Sequence, residues 1–103
     1  MSPSSETLIA AVQAWNFHQM NDNVWEDIEK GNIHRAKTRM RRLTKRLMEA
    51  GHTKLAQQLR AETERLSTGL GVSAEGRKAL TFATRSLVTQ TVRLRTIDDE
   101  PVS

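Results

Sequence analysis

The sequence predicts an all-α fold, an up-and-down bundle of three to four antiparallel helices with a flexible C-terminal tail. Three observations predict it. The chain has only two prolines and no tyrosine, so long stretches run free of helix breakers and poor in strand-favouring aromatics. Gly31, Gly51 and Gly71 recur twenty residues apart, each after an apolar-periodic stretch, where a helix-ending glycine belongs. Twenty residues make one helix of about four turns and a short loop, and short loops imply antiparallel neighbours. Finally, 28 large apolar residues are enough for one small core, so residues 1–97 read as a single domain and residues 98–103 as a disordered acidic tail.

The first helix is expected after Ser5, a good cap, with Glu6 in its first turn, and it ends near Lys30. Its apolar residues occupy two faces. Leu8, Val12 and Trp15 form one line, which continues through Gln19, Asp22 and Glu26. Phe17, Met20, Val24 and Ile28 lie roughly opposite. One long helix between two partners explains this pattern. A break at Asn21-Asp22-Asn23 is the alternative, because Asn23 and Glu26 resemble a capping box. The continuous helix is the preferred reading, with the early apolar turns left to pack on something that the later helices do not supply.

The second helix is capped by Asn32 and carries Ile33, Ala36, Met40, Leu43 and Leu47 at spacings of three and four, a single apolar stripe. Gly51 stops it. The third runs from about Thr53 to Thr68 with Ala56, Leu59, Thr63 and Leu66 inward, and Gly69 to Gly71 ends it. Ser73 caps the fourth, with Glu75 near the positive end of its dipole and Leu80, Ala83, Leu87 and Val88 toward the core. Gly76, in the first turn, either admits the close approach of another backbone or is a relaxed position. From Leu87 to Ile97 the chain is rich in threonine and valine, which weaken helices, so fraying is expected there before the tail from Asp98.

Composition limits function. There is no cysteine, which excludes disulfides and thiolate chemistry and fits a cytoplasmic location. No run of about 18 apolar residues is present, so no membrane span is expected. Residues Ser2 to Glu6 lack the basic start and apolar middle of a signal peptide. No phosphate-binding glycine loop or nucleophile elbow occurs. His18 and Asp22 are one turn apart, but a zinc site needs further ligands that the sequence does not offer. His34 and His52 each follow a helix-ending glycine, where polar residues are common. The acids Asp22, Glu26, Asp27 and Glu29 suit a solvated or salt-bridged face better than acid–base catalysis. The expectation is a non-enzymatic protein with no metal and no cofactor.

The strongest local signal is charge. The formal net charge is +4, yet residues 1–34 hold five acids against one lysine, whereas Arg35, Lys37, Arg39, Arg41, Arg42, Lys45 and Arg46 fall within twelve residues. On a helix, Arg35, Arg39, Arg42 and Arg46 form one stripe beside the core, and Lys37, Arg41 and Lys45 cover the back and the other flank. Such a basic helix is the footprint of nucleic-acid binding, and an acidic partner or an anionic membrane surface would attract it equally. Pairing with the acids of the first helix and with Glu62 and Glu64 would instead neutralise much of it. No aromatic residue is interleaved for stacking on bases.

A family resemblance adds to this. Ala36 through Leu47 (Ala-Lys-Thr-Arg-Met-Arg-Arg-Leu-Thr-Lys-Arg-Leu), Ala50-Gly51, Leu55-Ala56, Glu62 and Leu66 resemble the helical segment that follows the von Willebrand factor A domain in bacterial multidomain proteins. The likeness spans about Ala14 to Leu94. Its most distinctive stretch is Ser73-Ala74-Glu75-Gly76-Arg77-Lys78-Ala79-Leu80 with Thr84-Arg85. The metal-binding motif of the adhesion domain, Asp-x-Ser-x-Ser, is absent, so no metal-dependent binding carries over to any residue here. The resemblance implies an appendage of a larger protein with a role in assembly, docking beside its neighbour. Leu8, Val12 and Trp15 are the docking candidates, and Arg35, Arg39, Arg42 and Arg46 the candidates for a second partner surface. A homodimer through the exposed apolar face is equally open. The leading expectation is therefore an interaction module, and the alternative a small nucleic-acid-binding protein using residues 35–46.

Overall fold

The computed structural model describes residues 5–99, with side chains to residue 91. They form four helices and no strand: α1 (Ser5–Glu29), α2 (Ile33–Glu49), α3 (Thr53–Ser67) and α4 (Ala74–Asp99). Each helix packs on its chain neighbours, and α4 returns to α1, while the diagonal pairs α1–α3 and α2–α4 stay apart. This is an up-and-down four-helix bundle, as the short loops predict.

The first three helices end alike. At the end of α1, Gly31 N–H bonds the Ile28 carbonyl and Asn32 N–H the Asp27 carbonyl. Gly51 and His52 repeat the pattern on Met48 and Leu47, and Gly69 and Leu70 on Leu66 and Arg65. Each is a paired cap that satisfies the last carbonyls and requires a left-handed residue, here glycine with φ near +80°. The third cap falls on Gly69 rather than on Gly71, so the regular twenty-residue rhythm holds only for the first two loops.

The N-termini differ from expectation. Ser5 is already helical, so it is not the cap that the sequence suggests. Asn32 does occupy the cap position of α2, but its side chain makes no capping bond. Ser73 caps α4 as expected, its Oγ accepting from Gly76 N–H at 2.9 Å.

The core lies between the four helices. Met40, Leu43 and Leu47 of α2, Leu59 of α3, Leu80 of α4 and Val24 of α1 are fully enclosed. Each such side chain contributes about 1.5–3 kcal/mol by leaving water. Phe17 and Trp25 join them, and Met20, Ile28, Leu66, Val72, Ala83 and Leu87 pack on the edge.

Helix α1 is continuous through Asn21-Asp22-Asn23. Asn21 does not start a new helix because it is a core residue with neighbours of its own: Trp25 Nε1 donates to its Oδ1 at 2.9 Å, and its Nδ2 donates to Thr81 Oγ1 at 3.1 Å. One turn away, His18 Nδ1 lies 3.0 Å from Thr84 Oγ1. Arg77 sits over the Trp25 ring and binds Glu29 at 2.7 Å. Each step of three or four toward the start of α1 is matched by an equal step toward the end of α4.

That antiparallel register accounts for the length of α4. The helix runs to Asp99, through the threonine- and valine-rich stretch where fraying is expected and past the expected start of the tail at Asp98. Its backbone follows the N-terminal turns of α1, and three of its threonines are satisfied within the helix. Thr84, Thr89 and Thr91 each donate to the carbonyl four residues earlier. The rest of the tail expected over 98–103, residues 100–103, lies outside the described residues.

Candidate functional site

Two surfaces stand apart from an ordinary solvated exterior. The first is on α1. Gln13, Asn16 and Phe17 share a cleft with Arg46, Glu49 and Ala50, so the α2–α3 loop reaches only to the level of Gln13 to Phe17. Phe17 meets the His52 ring edge-on at the same level. The earlier turns of α1 therefore extend beyond the α2–α3 hairpin and, among the described residues, have only α4 beside them. Leu8, Val12 and Trp15 point outward there, 45, 58 and 52% exposed. The line that the sequence groups together is thus an open apolar strip. Ile9, three residues before Val12 and so on its flank, is also exposed, although on the wheel it falls beside Met20 of the opposite face. Trp15 leans on His18, with ring centroids 6.3 Å apart, which ties the strip to the polar contacts below it.

Farther along the bundle, Phe82 stands out from α4, 73% exposed, in a shallow groove with Ala74, Lys78 and Arg85. An isolated phenylalanine among cations, off the apolar periodicity of α4, was the available signal for it.

The second surface is α2. Its inward stripe buries Ala36, Met40, Leu43 and Leu47. Among the described residues, Arg39 alone of the seven cations on this helix has a carboxylate within 4.0 Å. It faces the buried Asp27 of α1 at 3.1 Å. That approach is an ion pair off the line of a hydrogen bond, and it leaves Asp27 Oδ2 without a hydrogen-bond donor. Several of the other acids are engaged elsewhere, and Glu49, at the end of α2, shares a cleft with Arg46. Glu26 binds Lys30, Glu29 binds Arg77, Glu64 approaches Arg60, and Asp22 approaches His18. Hydrogen bonding to Lys30 holds the Glu26 carboxyl below its usual range and raises Lys30 in turn.

Glu62 is the clearest departure from expectation. It does not neutralise α2. Buried between α3 and α4, it accepts from Ser73 N–H at 3.0 Å and from Ser73 Oγ at 2.5 Å. Arg65 approaches its other side at 3.9 Å. A Cβ on Gly76 would run into the same carboxylate. Gly76 therefore admits a side chain from the neighbouring helix, not a backbone, and the Ser73–Gly76 stretch is a structural lock.

Of the stripe Arg35, Arg39, Arg42 and Arg46, Arg39 is thus drawn into the fold, and the other three stand on the exterior with Arg41 and Lys45. Leu8, Val12 and Trp15 lie on α1, and the two candidate sets do not form one site. His18 and Asp22 come within 3.6 Å, and among the described residues no group of three or more metal-ligating side chains forms. No described helix is long and apolar enough to cross a membrane.

The model of one family, described as the Sll0103-like, C-terminal alpha-helical domain, matches residues 6–90. Its description names no von Willebrand factor A domain, so the neighbour suggested by the resemblance is a matter of proposal. No curated protein and no solved structure matches the chain.

Proposed function

Because the chain belongs to the family of Sll0103-like C-terminal alpha-helical domains, we propose that it is a non-enzymatic assembly module that docks on a neighbouring domain through the N-terminal half of α1. The observation that carries this reading is the open strip of Leu8, Val12 and Trp15, with Ile9 at its edge. Several large apolar side chains on successive turns of one helix mark a contact surface more than a scatter of single exposed residues would. The family description places this helical domain at the C-terminal end of its proteins. The resemblance of Ala14 to Leu94 to the segment after a von Willebrand factor A domain supplies the partner: that preceding domain. Trp15 is the expected anchor, since tryptophan in a desolvated pocket carries a large share of contact energy.

Trp15 also provides the test. In a Trp25→Phe variant it is the sole tryptophan. Titration with the von Willebrand factor A domain of a family protein should shift its emission to the blue and protect it from acrylamide. Val12→Asp should abolish both changes. An unchanged Trp15 signal at high micromolar partner refutes the reading. Protection that rises with the concentration of the chain alone would show that a second copy covers the strip instead.

A further inference from the structure

The basic face of α2 is separate from the α1 strip, and it has a shape as well as a sign. Arg35, Arg42 and Arg46 lie on the flank of the helix toward α1, the side on which Arg39 reaches Asp27. Arg41 and Lys45 lie on the opposite flank, where they line a cleft with Arg60 and Glu64 of α3 over a floor of Thr44 and Thr63. Glu26, Glu29, Glu62 and Glu64 are engaged with Lys30, Arg77, Ser73 and Arg60, which leaves Glu49, beside Arg46 at the end of α2, as the acid within this face. Cations thus straddle the outer face of one helix: the row Arg35, Arg42 and Arg46 runs along it for about 16 Å, and Arg41 with Lys45 faces its C-terminal half over about 6 Å.

We infer that α2 is a docking face for double-stranded nucleic acid, held by its sugar–phosphate backbone rather than by its base sequence. Two separated rows of positive charge call for two rows of negative charge. A duplex offers them as the phosphate walls of its major groove, which is about 12 Å wide and admits one helix. The charged length of α2 corresponds to about five base-pair steps of about 3.4 Å. Among the described residues, four of the six cations of α2 without a carboxylate partner are arginines, whose planar fork suits phosphate oxygens. Phe17 shares the Arg46 cleft but is buried, and α2 itself carries no tryptophan, tyrosine or phenylalanine, so the stacking that holds single strands is missing. An acidic protein surface would meet one flank readily but has no general reason to present two parallel charged walls.

Fluorescence anisotropy of a labelled random-sequence duplex of about 20 base pairs tests this, with the whole chain at several salt concentrations. The expected result is micromolar binding near physiological salt and a log–log salt slope of about −4, for roughly four phosphates engaged. Reversal on either flank, Arg42→Glu with Arg46→Glu or Arg41→Glu with Lys45→Glu, should weaken binding about 20-fold or more. Lys78→Glu with Arg85→Glu makes the same charge change on α4, away from this face, and should weaken it about 3-fold or less. Circular dichroism identifies any variant that has lost its helices, and binding by the single reversals Arg42→Glu and Lys45→Glu then decides in its place. The inference is overturned by absence of binding near physiological salt or by equal losses in the α2 and α4 variants. It is also overturned by tighter binding to single strands, to an acidic peptide or to anionic vesicles than to the duplex.

Discussion

Replacing Gly76 by alanine probes the tightest junction in the bundle. In an ordinary helical position this change stabilises by about 1 kcal/mol, since alanine is the best helix former and glycine among the worst. At Gly76 the added methyl meets the Glu62 carboxylate and lies 2.7 Å from Ser73 Oγ. The carboxylate is the end of a flexible side chain and can swing away, but it is buried and accepts two hydrogen bonds from Ser73. Hydrogen bonds to a charged acceptor contribute about 1.5–3 kcal/mol each. Losing one and weakening the other, less the helix-propensity gain, leaves a net destabilisation of about 2 kcal/mol. For a domain of this size that lowers Tm by about 8–16 °C. Thermal and urea unfolding followed by circular dichroism would measure it. The decisive comparison is the same change in a Glu62→Ala background, where no carboxylate is displaced and Gly76→Ala should be neutral or stabilising. A rise in Tm for the single variant, or equal effects in both backgrounds, would refute the reasoning.

Other outcomes follow from the same contacts. Asn21→Ala should cost about 2 kcal/mol in urea unfolding, because it leaves the buried Trp25 Nε1–H without an acceptor and Thr81 without its donor. Arg39→Ala should destabilise by about 1–3 kcal/mol, since the carboxylate of Asp27 stays buried while its cation is lost; a cost no larger than that of Arg35→Ala would argue against the ion pair. Acrylamide should quench Trp15 in a Trp25→Phe variant far more than Trp25 in a Trp15→Phe variant. Lys30→Ala should raise the Glu26 pKa toward 4.5 in an NMR titration. Because that carboxyl is lowered in the folded chain, the pair's small support is present above its unfolded pKa and is lost as pH falls through the folded value.

Much of this architecture was legible because helices announce themselves locally. Gly31 and Gly51 mark their caps by position alone, and the three-and-four spacing of Ala36, Met40, Leu43 and Leu47 names the buried face of α2. The exposed line Leu8, Val12 and Trp15 was legible for the same reason, since two apolar faces on one helix cannot both be buried by α2 and α4. What stayed hidden depends on partners far along the chain. Asn21 reads as a helix breaker until Thr81 and Trp25 stand beside it. Glu62 reads as a surface acid able to neutralise α2 until Ser73 claims both of its oxygens. Gly76 reads as either tight or relaxed until that carboxylate arrives. The continuation of α4 past Leu87 depends on the partner helix and on hydroxyls turned back to their own carbonyls, and neither is visible in propensity.

The two halves of the bundle are built on different principles, and the difference bears on function. Between α2 and α3 the packing is ordinary: leucines and Met40 inside, charge outside. Between α1 and α4 polar contacts join the apolar ones, with His18 on Thr84 and Asn21, itself bonded to Trp25 of its own helix, on Thr81, while Leu8, Val12 and Trp15 of α1 face outward. Buried hydrogen-bonded pairs specify register more sharply than interchangeable leucines do, because a one-turn slip would strand each donor and acceptor. A helix pair fixed in this way can leave Leu8, Val12 and Trp15 uncovered without sliding to bury them. An all-apolar interface would have no such restraint, since rotating α1 to hide the strip would lose few specific contacts. The open strip and the polar seam behind it therefore form one arrangement: the seam holds α1 in the orientation that presents its apolar line to a partner.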